Sequence, residues 1–333
     1  MKIAIHPIKK SFSDWWIQYC IEHEIDYKLV NCYDSNIISQ LKGCDALMWH
    51  FHHANAKDYL MAKQLLLAVS LTGLKVFPDF NTVWHFDDKI AQKYLLESIG
   101  APLAPTFVFY SKNDALNWIK QTSFPKVFKL RGGAGAVNVE LVKSENQAGK
   151  LVNIAFGRGF KHNSLIPLSE TWSKYKQNQI NLTTLAKAVL RQFVETEFSK
   201  TYGRAKSYVY FQDFISGNSF DTRIYVINNK AFATIRYNRK NDFRASGSGL
   251  KSLDPNLVSK EAIIEAFKIS ERLSLQCCAY DFVMKEDKPY LLEISYGFGE
   301  RENKGGYWDR DLVWHEGRFN PYGWMVDEVL RQE

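Results

Sequence analysis

The first hundred residues alternate short apolar or β-branched runs with stretches of helical periodicity, and no other feature restricts the fold as tightly. "KIAIHP", "YKLVNC", "DALMWHF" and "KVFPDF" read as strands, and the segments from about Ser13 to Glu24, 35–42 and 56–72 read as helices between them. Strands separated by helices cannot pair as tight hairpins, so the pattern predicts a parallel sheet with crossover helices. A further helix over 86–100 sets Leu95, Leu96 and Ile99 on one side and stops at Gly100, and the prolines of "APLAPTFVF" then mark a boundary.

Beyond that boundary a helix over 112–120 and a glycine-rich hairpin come first. A Lys/Gln/Asn-rich region then runs to about 206, with a helical pattern in "LTTLAKAVLRQFVETEF". Strands return in "SYVYFQDF" and "DTRIYVINNKAFATIRY", followed by a helix over 259–273, the pair of runs in "CAYDFVMKEDKPYLLEIS" and an aromatic tail. The expected class is mixed, an α/β lobe followed by α+β lobes, and no internal repeat is visible.

Composition narrows the function classes. At 46% hydrophobic and 24% charged, the chain of 333 residues is globular, with room for two or three lobes. Five cysteines without a C-x-x-C pair argue against a disulfide framework or a zinc site and fit a reducing cytoplasm. "MKIAIHPIKKSF" is no signal peptide and "LLLAVSL" is too short to span a membrane, so a cytoplasmic protein is expected. The net charge of +7 is concentrated between Arg158 and Lys206, where nine Lys/Arg face three Glu. Without an RNA-binding or helix-turn-helix signature, that surplus reads as a solvated helical insertion, and nucleic acid is not an expected partner. His50 and His52 of "WHFHH" share a strand face but lack a third ligand nearby in sequence, which favours a strand end lining a lobe interface over a metal pair.

"FPKVFKLRGGAGAVNV" (124–139) sets Lys129 ahead of a glycine run, without the Gly-Lys-Ser/Thr of a P-loop or a G-x-G-x-x-G opening a helix. The alternating "AVNVELV" after it makes the glycines a tip between two strands. Such a tip either covers phosphates with its bare backbone N–H groups or is an ordinary hairpin. In "AYDFVMKEDKPYLLEISYG", the turn "KEDK" joins two strands so that Asp281 and Glu293 come side by side. Paired carboxylates suit a hard cation such as Mg²⁺, and solvated acids on an exposed hairpin are the alternative.

In chain order, "DDKIAQKYLLESIGAPLAPT", "FPKVFKLRGGAGAVNVELV", "QDFISG", "DTRIYVINNKAFATIRY", "DFRAS" and "YLLEIS" resemble the ATP-grasp family from about Lys89 to about Gly299. The branch they are most similar to holds ribosomal-protein S6 glutamate ligase and bacterial glutathione synthetases. The resemblance implies a pre-ATP-grasp α/β domain over 1–86 and a small lobe over 87–210 carrying the basic insertion (about 148–206). A large lobe with the aromatic tail would follow over 211–333, with ATP held between the two α+β lobes. Lys89 and Lys129 would reach phosphate oxygens, and Gly132, Gly133 and Gly135 would close over them. Gln212, Asp213 and Phe214 would form the hinge strand at the adenine, Ser219 or Asp221 would meet the ribose, and Asp281, Glu293 and Ser295 would hold Mg²⁺ or Mn²⁺. Arg223, Arg236 and Arg244 would face the γ-phosphate or the reacting carboxylate. Ser295 and Ser246 stand where the family carries Asn, which weakens the second metal position.

The reaction so implied is ADP-forming carboxylate–amine ligation through an acyl phosphate. Tyr307, Trp308, Trp314, Tyr322 and Trp324 in the tail suggest sugar-ring stacking, hence a sugar acid or amino acid in surface-polysaccharide synthesis. A kinase of the same fold and a non-catalytic ATP-binding module are the rival classes. The sequence leaves the oligomeric state open, a homodimer included.

Overall fold

A computed structural model describes residues 1–52, 55–133, 138–161, 181–183, 201–239, 242–299 and 305–331. Gly135 and nearly all of the helix expected in "LTTLAKAVLRQFVETEF" lie outside them. The chain divides into two compact units, Met1–Phe86 with Tyr94–Leu103 and Gly217–Glu333, and Asp87–Lys93 with Ala104–Ser216.

The first unit opens with the predicted alternation: β1 (Ile3–Ile5), α1 (Phe12–Glu22), β2 (Tyr27–Leu29), α2 (Ile37–Gln40), β3 (Ala46–Met48), α3 (Ala56–Ser70) and β4 (Lys75–Phe77). All four strands pair in parallel, in the order β2-β1-β3-β4. β1 and β3 are wholly buried, as central strands covered on both faces must be. Phe12, Trp16 and Cys20 recur every fourth residue on the buried side of α1. The short α4 (Phe80–Val83), which the sequence reading missed, is capped by Asp79, whose side chain accepts the Thr82 N–H. α5 (Lys89–Ser98) is the helix expected over 86–100.

The second unit holds β5 (Thr106–Phe109), α6 (Lys112–Ile119), β6 (Lys126–Lys129), β7 (Val139–Val142), α7 (Glu145–Ala155) and β8 (Val209–Asp213). Its four strands form an antiparallel sheet in the order β5-β8-β6-β7. Here the basic insertion needs correcting, because it does not begin near 148. Ala148, Leu151, Val152 and Ala155 of α7 are buried in the same core as Phe128 and Phe211. The polar residues that made this stretch resemble an insertion are the outer face of an amphipathic helix.

The first unit resumes with β9 (Phe220–Ile227), β10 (Lys230–Tyr237), β11 (Lys251–Ser252), α8 (Lys260–Leu273), β12 (Cys277–Lys285), β13 (Lys288–Ser295), β14 (Gly306–Asp309), β15 (Trp314–Glu316) and α9 (Pro321–Leu330). The sheet runs β13-β12-β9-β10-β14-β15, with β11 beside β10. Ile224, Val226, Tyr280, Phe282 and Ile294 pack with α8 on one face. Tyr225, Phe232, Cys277 and Ala279 join the core of the N-terminal sheet on the other.

The aromatic tail is largely an internal fixture. Trp308 packs on Trp314 at 4.5 Å between ring centres, Tyr322 sits 5.1 Å from Phe12, and Trp324 stacks on Phe319 at 5.0 Å. Trp308 and Tyr322 are buried, while Tyr307, Trp314 and Trp324 are half-buried on neighbouring rings. His50 is likewise a packing residue, its ring stacked 3.6 Å from Phe12 and its Nδ1 2.5 Å from the Ser11 hydroxyl.

Candidate functional site

Strand alternation and register build the first residue set, in the unit that contains β9 to β13. Asp281 lies opposite both Arg223 of β9 and Glu293 of β13, and Asp221 lies opposite Arg236 of β10. Side chains two apart share a sheet face, so on β9 the apolar Ile227 and Tyr225 give way to Arg223 and then Asp221. β12 changes in the same direction, from Cys277 and Ala279 to Asp281. One face of the sheet is thus apolar at one end and ionic at the other.

Within that ionic end, Arg223 grips Asp281 through Nε and Nη2, both at 2.6 Å. Arg236 grips Asp221 in the same forked manner at 2.6 and 2.7 Å, and its Nη2 also lies 2.9 Å from Asp281 Oδ2. Burial alone would push the Asp281 carboxyl up. The Arg223 and Arg236 charges outweigh it and hold that carboxyl well below the usual carboxylate range. Asp221 goes the other way: burial pushes it up to about 6, its hydrogen bonds from Arg236 work against this, and the Asp281 charge adds to it. Each guanidinium carries five N–H donors, so the edge away from its carboxylate can still meet a ligand.

Asp221 therefore spends its carboxylate on Arg236, away from the ribose role considered for it, while Ser219 precedes β9 and accepts the Asn238 N–H on its carbonyl. Glu293 is half-buried across from Asp281, and the Ser295 hydroxyl donates to the Gly297 carbonyl at 2.9 Å. Arg244 lies in the loop after β10, with Nη2 2.6 Å from Asp242. Among the described residues no cluster of three or more His, Cys, Asp or Glu forms a metal cage. Mg²⁺ takes one or two protein carboxylates and fills its other positions from phosphate and water; both Asp281 oxygens are engaged by Arg223 and Arg236, so Asp281 would take a cation only by exchanging an arginine contact for it.

The second set belongs to the other unit. Lys89 and Lys129 are nearly buried, at 6% and 7% exposure, although lysine is almost never buried without a strong partner. Lys89 Nζ donates to the Gly133 carbonyl at 2.8 Å, and Lys129 Nζ to Gln212 Oε1 at 2.7 Å. Gln212 Nε2 in turn donates to Thr106 Oγ1, so this amide positions a lysine where an adenine acceptor was expected. β8 pairs along both edges, through Thr106 to Phe109 on one side and Lys126 to Lys129 on the other. Its backbone is occupied by the sheet as far as Asp213, whose carboxylate pairs with Lys126 at 2.6 Å. Phe214 follows directly.

Sequence reasoning missed the acids that hold the glycine hairpin. Asp87 Oδ1 accepts the Gly133 N–H at 2.8 Å, the Lys89 N–H bonds the Arg131 carbonyl at 2.9 Å, and Asp88 pairs with Arg131. Gly133 has φ +118°, a conformation that favours glycine, and a Cβ on Gly132 would meet Asp87 Oδ2 at 2.9 Å, so a side chain there would displace the carboxylate that holds the hairpin. "FDDK" carried the signal, two adjacent acids directly before the helix that Lys89 opens.

The parallel α/β sheet, the small antiparallel sheet with a lysine-flanked glycine hairpin and the larger sheet with an acid–arginine face define the ATP-grasp fold. The family model of the RimK-like ATP-grasp domain matches residues 183–303 of the chain. The chain is 21% identical over 235 residues to the alpha-aminoadipate–LysW ligase LysX of Saccharolobus solfataricus, covering 71% of this chain and 70% of that protein. Among solved structures, it resembles a RimK domain ATP-grasp protein of Sphaerobacter thermophilus at TM-score 0.56 and 16% identity, covering 99% of this chain and 100% of that one. It also resembles D-cycloserine synthetase DcsG at TM-score 0.60 and 12% identity, with 99% of each chain covered. No helix among the described residues is long and apolar enough to cross a membrane.

Proposed function

We propose that the chain is an ADP-forming carboxylate–amine ligase that uses MgATP. The observation that carries this reading is the bidentate gripping of two buried acids by Arg223 and Arg236 beside Glu293, a concentration of donors and acceptors that a sheet face without ligands would not need. Lys89, Lys129 and the hairpin backbone from Gly132 would take the nucleotide's phosphates, with the adenine on the backbone after Asp213. Asp281 and Glu293, with Ser295 as a weaker neighbour, would hold the cation, which offsets charge on the transferring phosphoryl group. The outer edges of Arg223 and Arg236 would orient the acceptor carboxylate for in-line attack, and Arg244 would join them from its loop. One carboxylate oxygen takes the γ-phosphoryl group and ADP leaves. The amine nitrogen then bonds the acyl carbon, the C–O bond to phosphate breaks, and the nitrogen loses a proton.

The names of the relatives, a ligase for alpha-aminoadipate and a synthetase for D-cycloserine, favour an amino-acid-like carboxylate over a sugar acid. The test is ATP turnover with a panel of amino-acid and sugar-acid carboxylates, with and without amines, read by mass spectrometry. Ligation requires a product containing both substrates. A phosphorylated acceptor formed without amine would make the protein a kinase, and nucleotide binding without turnover would make it a binding module; either result overturns the reading.

A further inference from the structure

A cavity of about 720 Å³ opens at the carboxyl ends of β1 and β2, lined by residues that the proposed ligase chemistry does not use. In parallel α/β sheets this edge is where ligands sit, because the strand-to-helix loops diverge there. His6, immediately after β1, is 5% exposed and lines the cavity. Its Nδ1 lies 3.1 Å from the Cys32 N–H and 3.2 Å from the Val30 carbonyl oxygen, so the backbone of the β2-to-α2 loop engages this one ring nitrogen. Among the described residues no hydrogen-bond partner meets its Nε2, so His6 brings a second polar ring nitrogen to the cavity wall, a match for a hydroxyl that both donates and accepts.

The rest of the polar lining is built to accept. Asp34 holds Asn31 Nδ2 on Oδ1 at 2.5 Å and Gln40 Nε2 on Oδ2 at 2.9 Å, an arrangement that fixes the carboxylate and leaves its remaining lone pairs. Gln40 Nε2 also donates to Asn36 at 2.8 Å, which directs the Gln40 Oε1 acceptor elsewhere. Tyr33 donates to the fully buried Asp58 and accepts Asn55 Nδ2 at 2.9 Å, so its hydroxyl is spent. Among the described residues no lysine or arginine lines the cavity. Burial lowers the His6 pKa, with the Val30 carbonyl, Asp58 and Asp34 working against it, so its ring is held neutral and brings no cation. The charge facing a ligand is that of Asp34, against which a carboxylate would be repelled.

We propose that this cavity binds a small hydroxylated primary amine, its ammonium on Asp34 and Gln40 and a hydroxyl on His6 Nε2. Leu29 and Ile8 supply apolar wall for the carbon skeleton. The assignment rests on the ligase reading only in making this ligand the amine substrate. Calorimetric titration of the full chain with D-glucosamine, without nucleotide, tests it, with D-glucose as the counterpart lacking the ammonium.

Saturable glucosamine binding is expected. Asp34→Asn should weaken it roughly tenfold or more, since a charge-assisted contact becomes a neutral one, and Gln40→Ala should weaken it to a lesser extent. Asp34 is exposed and off the core, so the variant should melt like the parent. Absence of saturable binding, equal affinity for glucose, or undiminished binding by Asp34→Asn would each overturn the proposal. Null titrations alongside amine-dependent ATP turnover would remove the cavity and leave the ligase. Asp34-dependent binding without any turnover would do the reverse.

Discussion

Lys129 shows how far a single side chain can depend on its supports. Its ammonium is nearly buried and held by the Gln212 amide, a pre-set donor for a phosphate oxygen. Lys129→Ala should weaken ATP binding by about 1.5–3 kcal/mol, read by calorimetry; unchanged affinity would return the glycine hairpin to an ordinary turn. Asp281→Asn and Glu293→Gln should both abolish Mg²⁺-dependent turnover but part ways in stability. Asp281 answers two buried guanidiniums, and removing one partner of such a group costs about 3–5 kcal/mol at the upper end, so its variant should melt clearly lower. The half-buried Glu293 should tolerate the change with a near-parental Tm. Asp221 makes a further prediction, because its folded pKa of about 6 is raised above the 3.8 of an ordinary Asp. The folded state then binds the extra proton more readily, so this residue favours folding below about pH 4 and loses that contribution as pH rises through 6. Subtracting the Asp221→Asn melting curve from the parent's between pH 4 and 7 should reveal that slope; a parallel pair of curves would rule it out.

At the level of elements, what the sequence made legible was local. The β12–β13 hairpin could be read because a short turn fixes its register, and Asp281 does face Glu293. The parallel pairing at the N-terminus could be read because strands alternate with helices there. The insertion of β9 between β12 and β10 could not, since partners such as Arg223 and Asp281 lie 58 residues apart and no turn sets their pairing. For the same reason the sequence did not reveal Gln212 facing Lys129, 83 residues away. α9 hid behind its aromatic residues, whose crowding suggested a binding surface and whose rings pack on the core, Tyr322 buried and Trp324 half-buried. α9 also sets a close helix contact: a Cβ on Gly323 would lie 2.6 Å from the Tyr19 ring, which is tied by its hydroxyl to Asp327 at 2.9 Å. Alanine gains about 1 kcal/mol in helix propensity, whereas overpacking costs about 1–3 kcal/mol, and the tethered ring cannot swing aside cheaply. Gly323→Ala should therefore lower Tm, and adding Tyr19→Leu should recover most of the loss.

For the whole molecule, the decisive feature is that one unit is spliced into the other. The core of the first unit joins residues from Ile3 to Val329, among them Tyr322, Met325 and Val326 of α9, whereas most of the second is continuous over Ala104–Ser216. A ribosome releases these parts in chain order, and domains close as units when their last strand emerges. The spliced-in unit can therefore mature first, while the N-terminal parallel sheet waits with one side uncovered until α9 leaves the exit tunnel. Nascent chains arrested by a linker of about 35 residues fused after Glu333, enough to clear the tunnel, should resist protease throughout, and chains arrested about 35 residues after Ser216 should yield a protected fragment near 104–216 and a digested first hundred residues. Equal protection of both regions in the shorter chain would mean the sheet needs no late partner. If the delay is real, the start of this protein is its last part to be safe, and cells short of chaperones should lose it to aggregation before its translation is complete.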